Sequence, residues 1–424
     1  MWHLESERHQ EPDLARFIAT VSVHAEFFDR GTPITVARAP GRLDLMGGIA
    51  DYSGALVLQL PLAAATFAAA QSDPEYRLTL RSLGQLGPDA DAEVTIPLAA
   101  LVSGGTPLDY AAARTLLTAN PRQRWTAYVA GAMFVLVRER GIKVSHGVRI
   151  LIDSEVPLGK GVSSSAALEV AAMTALCAAY DVTLDGREVS LLCQMVENLV
   201  VGAPCGVMDQ MTATLGERDR LLALLCQPAE LQAQVTLPTG LEVWGIDSGI
   251  RHQVGGTDYG AVRVGAFMGY RFIAEAAGLT ATTVTEGCVQ VNDPKWRGYL
   301  ANVTPSEWVA VYQDVVPEVI DGASFLRRYG GTTDSVSRVD PRRMYAVRQP
   351  TAHPIYEHHR VRRFRALFEG SAVNEAERLQ LGELMFQSHA SYSACGLGSS
   401  GTDTLVELVR AAGPKAALSS PARK

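Results

Sequence analysis

The stretch Val156–Glu169, VPLGKGVSSSAALE, sets a glycine-rich turn directly against three serines and an alanine-rich apolar run. Gly159 and Gly161 open backbone conformations closed to other residues and put no side chain in the way. Ser163, Ser164 and Ser165 then fall where a helix would begin. A helix N-terminus offers unpaired N–H groups at the positive end of a dipole, a ready seat for phosphate. Ala166, Ala167, Val170, Ala171 and Met173 behind them are apolar on every side, so the helix is expected to be buried and rigid. Two common phosphate loops do not fit. Lys160 is followed by Gly161 where a Walker loop needs Ser or Thr, and Ser164 stands where a dinucleotide-binding turn needs its third glycine. On this stretch alone, a phosphate cradle and an ordinary strand-to-helix turn capped by serine both remain open.

Outward from the motif, HGVRILIDSEVP (146–157) reads as the strand that feeds it, and SSSAALEVAAMTALCAAY and REVSLLCQMVENLV read as helices. Upstream, a helical lead-in covers residues 1 to about 30. ITVARAP (34–40) reads as a strand stopping at Pro40-Gly41, ALVLQLPLAAATFAAA (55–70) and YRLTLRSL (76–83) as further strands, and RQRWTAYVAGAMFVLVRER (122–140) as a helix ended by Gly141. RLLALLCQP (220–228) and LEVWGIDSG (241–249) read as strands on either side of a division near residue 230, and the second half is mainly helical. This order predicts α+β halves: residues 1–230, residues 231–412, and a Pro/Ser/Ala-rich tail over 413–424 expected to be disordered.

The bulk properties narrow the function. A chain of 424 residues, 47% hydrophobic, can bury two cores, and a formal charge of −7 argues against nucleic acid or an anionic membrane as the main partner. The basic run Arg360, Arg362, Arg363, Arg365 is read accordingly as a solvated helix face. Six cysteines without a C-x-x-C pair fit a reducing compartment, the charged start MWHLESERHQ lacks a secretory core, and no membrane-length apolar run occurs, so a cytoplasmic protein is expected. No motif sets an oligomeric state.

Two further stretches, VARAPGRLDLMGGIADYSGALVLQLPL and ENLVVGAPCGVMDQMTATLGE, resemble signatures of the GHMP kinases, the small-molecule kinase superfamily that includes galactokinase. PLGKGVSSSAALE is similar to that superfamily's phosphate-binding motif, and DSGIRHQVGGTDYGAVR (247–263) resembles the galactokinase segment whose tyrosine touches the sugar. Four separated motifs in the right order, spanning about residues 34–412, make the resemblance specific. It implies a two-domain GHMP-kinase fold, with a ribosomal-protein-S5-like N-terminal domain and a ferredoxin-like C-terminal domain, using ATP and Mg²⁺ on a small-molecule sugar.

The resemblance also implies roles. Gly159, Lys160, Gly161, Ser163, Ser164 and Ser165 would hold the nucleotide's phosphates, with Lys160 equally readable as a solvated loop lysine. Glu197 and a motif serine, Ser164 or Ser165, would hold Mg²⁺. Asp209 aligns with the catalytic aspartate facing the sugar's anomeric hydroxyl, Arg42 with the arginine beside it, and Asp51 and Tyr259 with sugar contacts. One departure bears on the substrate. Galactokinases carry Gly-Glu-His-Thr-Asp-Tyr where this chain has Gly47-Gly48-Ile49-Ala50-Asp51-Tyr52, and Gly48 and Ile49 cannot hydrogen-bond galactose's C6 hydroxymethyl group. L-Arabinopyranose is that ring without the C6 arm, and AHPIYEHHRV and SACGLGSSGTDTLVELV resemble L-arabinokinases of the same superfamily. The expectation is an L-arabinose 1-kinase, with galactokinase or a non-catalytic sugar and ATP sensor as alternatives. The superfamily's third, glycine-rich signature is not found; the chain instead closes AAGPKAALSSPARK, so an incomplete C-terminal domain with weakened nucleotide binding is expected as well.

Overall fold

The computed structural model describes residues 12–84, 90–103, 106–250, 257–368 and 372–413. The expected tail, apart from Gly413, and the first eleven residues of the expected lead-in lie outside the described residues. What is seen of the lead-in is a helix over Pro12–Val23 and a short turn, Ala25–Phe27.

The first half is built on one seven-stranded sheet. Its strands, in chain order, are β1 (Thr35–Met46), β2 (Leu56–Asp73), β3 (Arg77–Ser82), β4 (Glu93–Pro97), β5 (Gly147–Ser154), β6 (Arg220–Leu225) and β7 (Glu230–Thr236). The spatial order is β4-β3-β5-β2-β6-β7, with β1 also paired to β2. β2 can hold this centre because of its length. Leu56–Gln59 pairs with β6, Thr66–Asp73 pairs with β5, and β1 runs antiparallel along nearly all of it. Among the described strands of this sheet, only β3 and β5 run parallel to each other. Because β7 pairs with β6, the sheet continues past the expected division near residue 230, to Thr236.

Against this sheet pack the helices Thr126–Arg140, Ser164–Ala179 and Gly186–Met195. Alanines and valines on the first two meet Ala68, Ala70, Leu78, Leu80, Val148 and Ile150 from the strands in one core. Small residues let the Ser164–Ala179 helix press close to the sheet, and its burial on nearly every side follows from that packing. The second half has its own core, in which Trp296, Trp308, Tyr270 and Phe325 pack between the helices Thr257–Ala276 and Arg348–Ala366 and a three-stranded sheet.

Two strand expectations differ from the structure. β1 does not stop at Pro40-Gly41; it passes through them with a shift of register between Pro40 and Arg42 and runs to Met46. Proline is tolerated at such a bulge because the ladder hydrogen bond is already interrupted there. Residues 241–249 alternate in polarity like a strand but form none, since no described strand pairs with them. They cross β1 instead, with Gly245 against Leu43 and Trp244 exposed.

Candidate active site

The expected phosphate cradle has the local geometry its sequence asks for. Gly159 and Gly161 have φ of 68° and 72°, in the left-handed region that favours glycine. Ser163, at φ 60°, is the cap residue of the Ser164–Ala179 helix, yet its side chain makes no capping bond. Among the described residues the buried Ser163 hydroxyl has no hydrogen-bond partner, which leaves it available at a helix N-terminus. Lys160 forms an exposed ion pair with Asp247 at 2.6 Å.

Arg42 ties this loop to Asp209. Its Nε and Nη2 donate to Asp209 Oδ1 at 3.1 and 2.8 Å, its Nη1 donates to the Gly161 carbonyl at 2.8 Å, and its backbone N–H donates to the Val162 carbonyl at 3.1 Å. The bulge in β1 turns Arg42 toward the loop, and Gly41 makes room. A Cβ at Gly41 would lie 2.7 Å from the Val162 carbonyl oxygen and 2.8 Å from a Val156 methyl. Arg42 and Asp209 are both buried. Burial opposes the guanidinium's charge, but the carboxylates of Asp209, Asp44 and Asp51 outweigh it and hold the arginine above its usual range. The Arg42 guanidinium thus lies against the buried Asp209 carboxyl at 2.8 Å.

A second group of carboxylates lies behind the serines. Ser165 Oγ donates to Glu197 Oε1 at 2.9 Å, so Ser165 is the motif serine that meets Glu197. Glu197 is 2% exposed, which sets aside a solvated helix carboxylate. It sits on a widened helical turn, Val196–Val201, of the kind often found at functional sites. Two residues that motif reading did not single out complete the group. Gln210 Nε2 donates to Glu197 Oε2 at 2.7 Å and to Glu169 Oε2 at 3.2 Å, with Glu169 fully buried one helical turn beyond Ser165. A glutamate within an otherwise apolar helix was the available signal, since charge in such a helix needs a partner. Among the described residues no trio of His, Cys, Asp and Glu converges to bind a metal. The hydroxyl and carboxylate oxygens of Ser165 and Glu197 are nevertheless the hard donors that Mg²⁺ takes, one or two at a time, beside phosphates.

The expected sugar residues Asp51 and Tyr259 both meet Tyr52. Asp51 is buried; its Oδ1 accepts from the Tyr52 N–H at 2.9 Å, and among the described residues its buried Oδ2 has no partner. Tyr259 packs edge-on to Tyr52, with ring centroids 6.2 Å apart, and joins Ile49, Val262, Tyr392 and Cys395 in an apolar cluster. Residues 251–256 of the expected sugar segment lie outside the described residues. Ile49 takes φ 56°, a strained value for a β-branched residue, and is held there from both sides. Its side chain is buried in that cluster, and the Gly48 carbonyl before it accepts from His353 Nε2 at 2.8 Å. Since a carbonyl only accepts, Nε2 carries the proton and Nδ1 accepts from Ser391 Oγ at 2.9 Å. Burial lowers the His353 pKa and keeps the ring in this neutral form, against the pull of Glu357.

Two more residues beyond the motif reading shape the site. Asp44, two positions after Arg42, accepts from Gln59 Nε2 at 2.6 Å. Burial pushes its carboxyl up to about 6 in spite of Arg42. Arg263 donates bidentately to Asp334 at 2.7 and 2.9 Å, donates to the Cys205 carbonyl at 3.1 Å, and lies over the Tyr52 ring. It therefore joins the Asp51–Tyr52 turn, the segment leading to Asp209 and Asp334 of the second half.

The family model described as GHMP kinases N terminal domain matches residues 127–217, and the galactokinase galactose-binding signature matches residues 22–72. These stretches resemble the GHMP kinases and galactokinases respectively. Among curated relatives it is 44% identical to an L-arabinokinase of Arabidopsis thaliana over 411 residues, 89% of this chain and 40% of that protein. It is 33% identical to a galactokinase of Chloroflexus aggregans over 262 residues, 62% of this chain and 61% of that one. The chain thus spans less than two thirds of the length of either relative. The solved structure of Lactococcus lactis galactokinase complexed with galactose superposes with a TM-score of 0.68 at 19% identity, covering 93% of this chain and 84% of that one, which establishes the shared fold. No helix among the described residues is long and apolar enough to cross a membrane.

Proposed function

We propose that the protein is an ATP-dependent sugar 1-kinase acting on L-arabinose. The observation that carries this reading is the Arg42 side chain, which bonds Asp209 and the Gly161 carbonyl of the phosphate loop at once. Proton acceptor and phosphate cradle thereby share one rigid anchor. Phosphoryl transfer depends chiefly on such positioning and on charge stabilisation.

In this mechanism the N–H groups at the start of the Ser164 helix, with the Ser163 hydroxyl, hold the nucleotide's phosphates. Asp51 accepts a hydrogen bond from a ring hydroxyl and Tyr259 offers its ring to the sugar. Asp209 orients the anomeric hydroxyl and accepts its proton as that oxygen bonds to the γ-phosphorus, while the bond from phosphorus to the β–γ bridging oxygen breaks and ADP leaves. The guanidinium of Arg42 holds Asp209 in place and favours the developing alkoxide. Ser165 and Glu197 would hold Mg²⁺, which when bound neutralises phosphate charge. Six free, buried thiols and the use of ATP support a cytoplasmic setting.

L-Arabinose is preferred because the 48–49 stretch offers no side-chain hydrogen-bonding group. Gly48 has its carbonyl engaged by His353, and Ile49 is turned into an apolar cluster. Galactose is the second reading, supported by the galactose-binding signature over 22–72. A coupled assay of ADP release with each sugar tests both. The expected result is a preference for L-arabinose in kcat/KM of about 10–200-fold, the range that one missing group yields. Asp209→Asn should lower kcat by about 10²–10⁴-fold. Sugar and ATP binding without sugar-dependent ADP release would point to a sensor instead.

A further inference from the structure

A cavity of roughly 500 Å³ opens where the end of the first sheet meets the Arg348–Ala366 helix, among residues the mechanism above does not use. Its floor is apolar, from Leu56 and Leu225, and its walls carry Arg297, Arg362, Arg365 and His358, with no carboxylate in the lining. The basic run therefore does not form a purely solvated face. Arg360 pairs with Glu357 on its own helix, whereas Arg362 and Arg365 turn to the cavity and Arg365 is half-buried there. Among the described residues neither Arg362 nor Arg365 has an ion-pair partner. His358 Nδ1 accepts the Leu56 N–H at 2.9 Å, which leaves its proton on Nε2 as a neutral donor.

The opposite wall is a fixed polar network. Arg297 donates to Gln227 Oε1 at 2.7 Å, and the buried Gln227 amide donates to Asn302 Oδ1 at 2.8 Å and to the Gly54 carbonyl at 2.7 Å. Gly54 closes the turn that begins at Asp51, donating its N–H back to the Asp51 carbonyl at 3.0 Å. Three guanidiniums, the three amides of Gln227, Gln232 and Asn302, and an apolar floor within a ligand-sized volume suit a small molecule bearing a doubly charged phosphate and a few hydroxyls.

We propose that this cavity binds a small phosphate monoester and that its occupancy is relayed through Gln227 and Gly54 to the Asp51 turn. The relay rests on the sugar-kinase reading; the binding does not. Titration calorimetry of the full chain with glycerol 3-phosphate and with inorganic phosphate, under saturating MgADP to fill the phosphate loop, tests the binding. Heat of binding is expected for both probes, tighter for the monoester. Arg362→Ala with Arg365→Ala should weaken it by about tenfold or more, since charge-assisted bonds are lost. Arg363→Ala, which removes an exposed charge of the same helix outside the cavity, should bind as the unaltered protein does. Equal affinity for the double variant, or no binding of either probe, would overturn the site. Arg297→Gln tests the far wall independently should the double variant fail to fold, and unchanged affinity there would count against the proposal. The relay predicts that glycerol 3-phosphate shifts KM for the sugar in the unaltered protein but not in the double variant. Binding without that shift would remove the relay alone, and absence of any kinase activity would leave the binding result standing.

Discussion

Arg42 carries more of this site than any other residue, and a lysine could not replace it. Its planar fork spans Asp209 and Gly161 together, while an ammonium would satisfy one and leave the other. Arg42→Lys should lower kcat by about tenfold or more and destabilise the fold by about 1–3 kcal/mol, the usual cost of leaving a buried acceptor unsatisfied. Thermal unfolding followed beside ADP release checks both. Asp44 gives the residue-scale pH prediction. Its folded pKa lies above the unfolded one, about 6 against 3.8, so the native state binds more protons between those values. Stability from this group is complete below about pH 4 and lost as pH rises through about 6. Asp44→Asn should remove that component, seen as a flatter dependence of Tm on pH over this window. Arg42 and Asp209 were legible from their motifs. Asp44 and Gln210 were not, because their importance lies in buried partners distant in sequence; Gln210 and Glu169, for instance, are 41 positions apart.

At the scale of elements, the phosphate loop and its helix were readable because every determinant is local: two glycines at positive φ, serines at the turn, and an apolar run behind. The continuation of β1 through Pro40-Gly41 was not, since a local rule ends a strand there and only the approach of Val162 explains the bulge. Gly41→Ala follows as a test of the element, not of the chemistry. Its Cβ would crowd the Val162 carbonyl and Val156, pushing the loop away from Arg42. Overpacking of this kind costs about 1–3 kcal/mol. KM for ATP should rise more than KM for the sugar, which steady-state kinetics in both substrates will show. Residues 241–249 teach the converse lesson: alternation in sequence makes a strand only where a partner strand exists to complete it.

For the whole molecule, the site depends on contacts between halves that no window of sequence displays. His353 reaches Gly48 across 305 positions, and Arg263 joins Cys205, Tyr52 and Asp334. Although burial favours the neutral acid, Arg263 holds Asp334 below the usual carboxylate range. That contribution is present above the unfolded value near ~3.9 and is lost as pH falls through the lower folded one. Asp334→Asn should cost about 3–5 kcal/mol in urea unfolding near neutral pH, with the difference shrinking in acid. The same variant should raise KM for the sugar, because Arg263 also supports Tyr52.

The central claim is that Asp209, fixed by Arg42 against the phosphate loop, directs a sugar's anomeric hydroxyl at a nucleotide's γ-phosphorus. Phosphorus NMR of a mixture of the protein, MgATP and L-arabinose tests it directly. The account predicts growth of a sugar 1-phosphate signal coupled to the anomeric proton, matched by ADP, and its near absence with Asp209→Asn measured well below that variant's own Tm. Phosphate appearing at another carbon, or the same signal at the same rate from the variant, would contradict it.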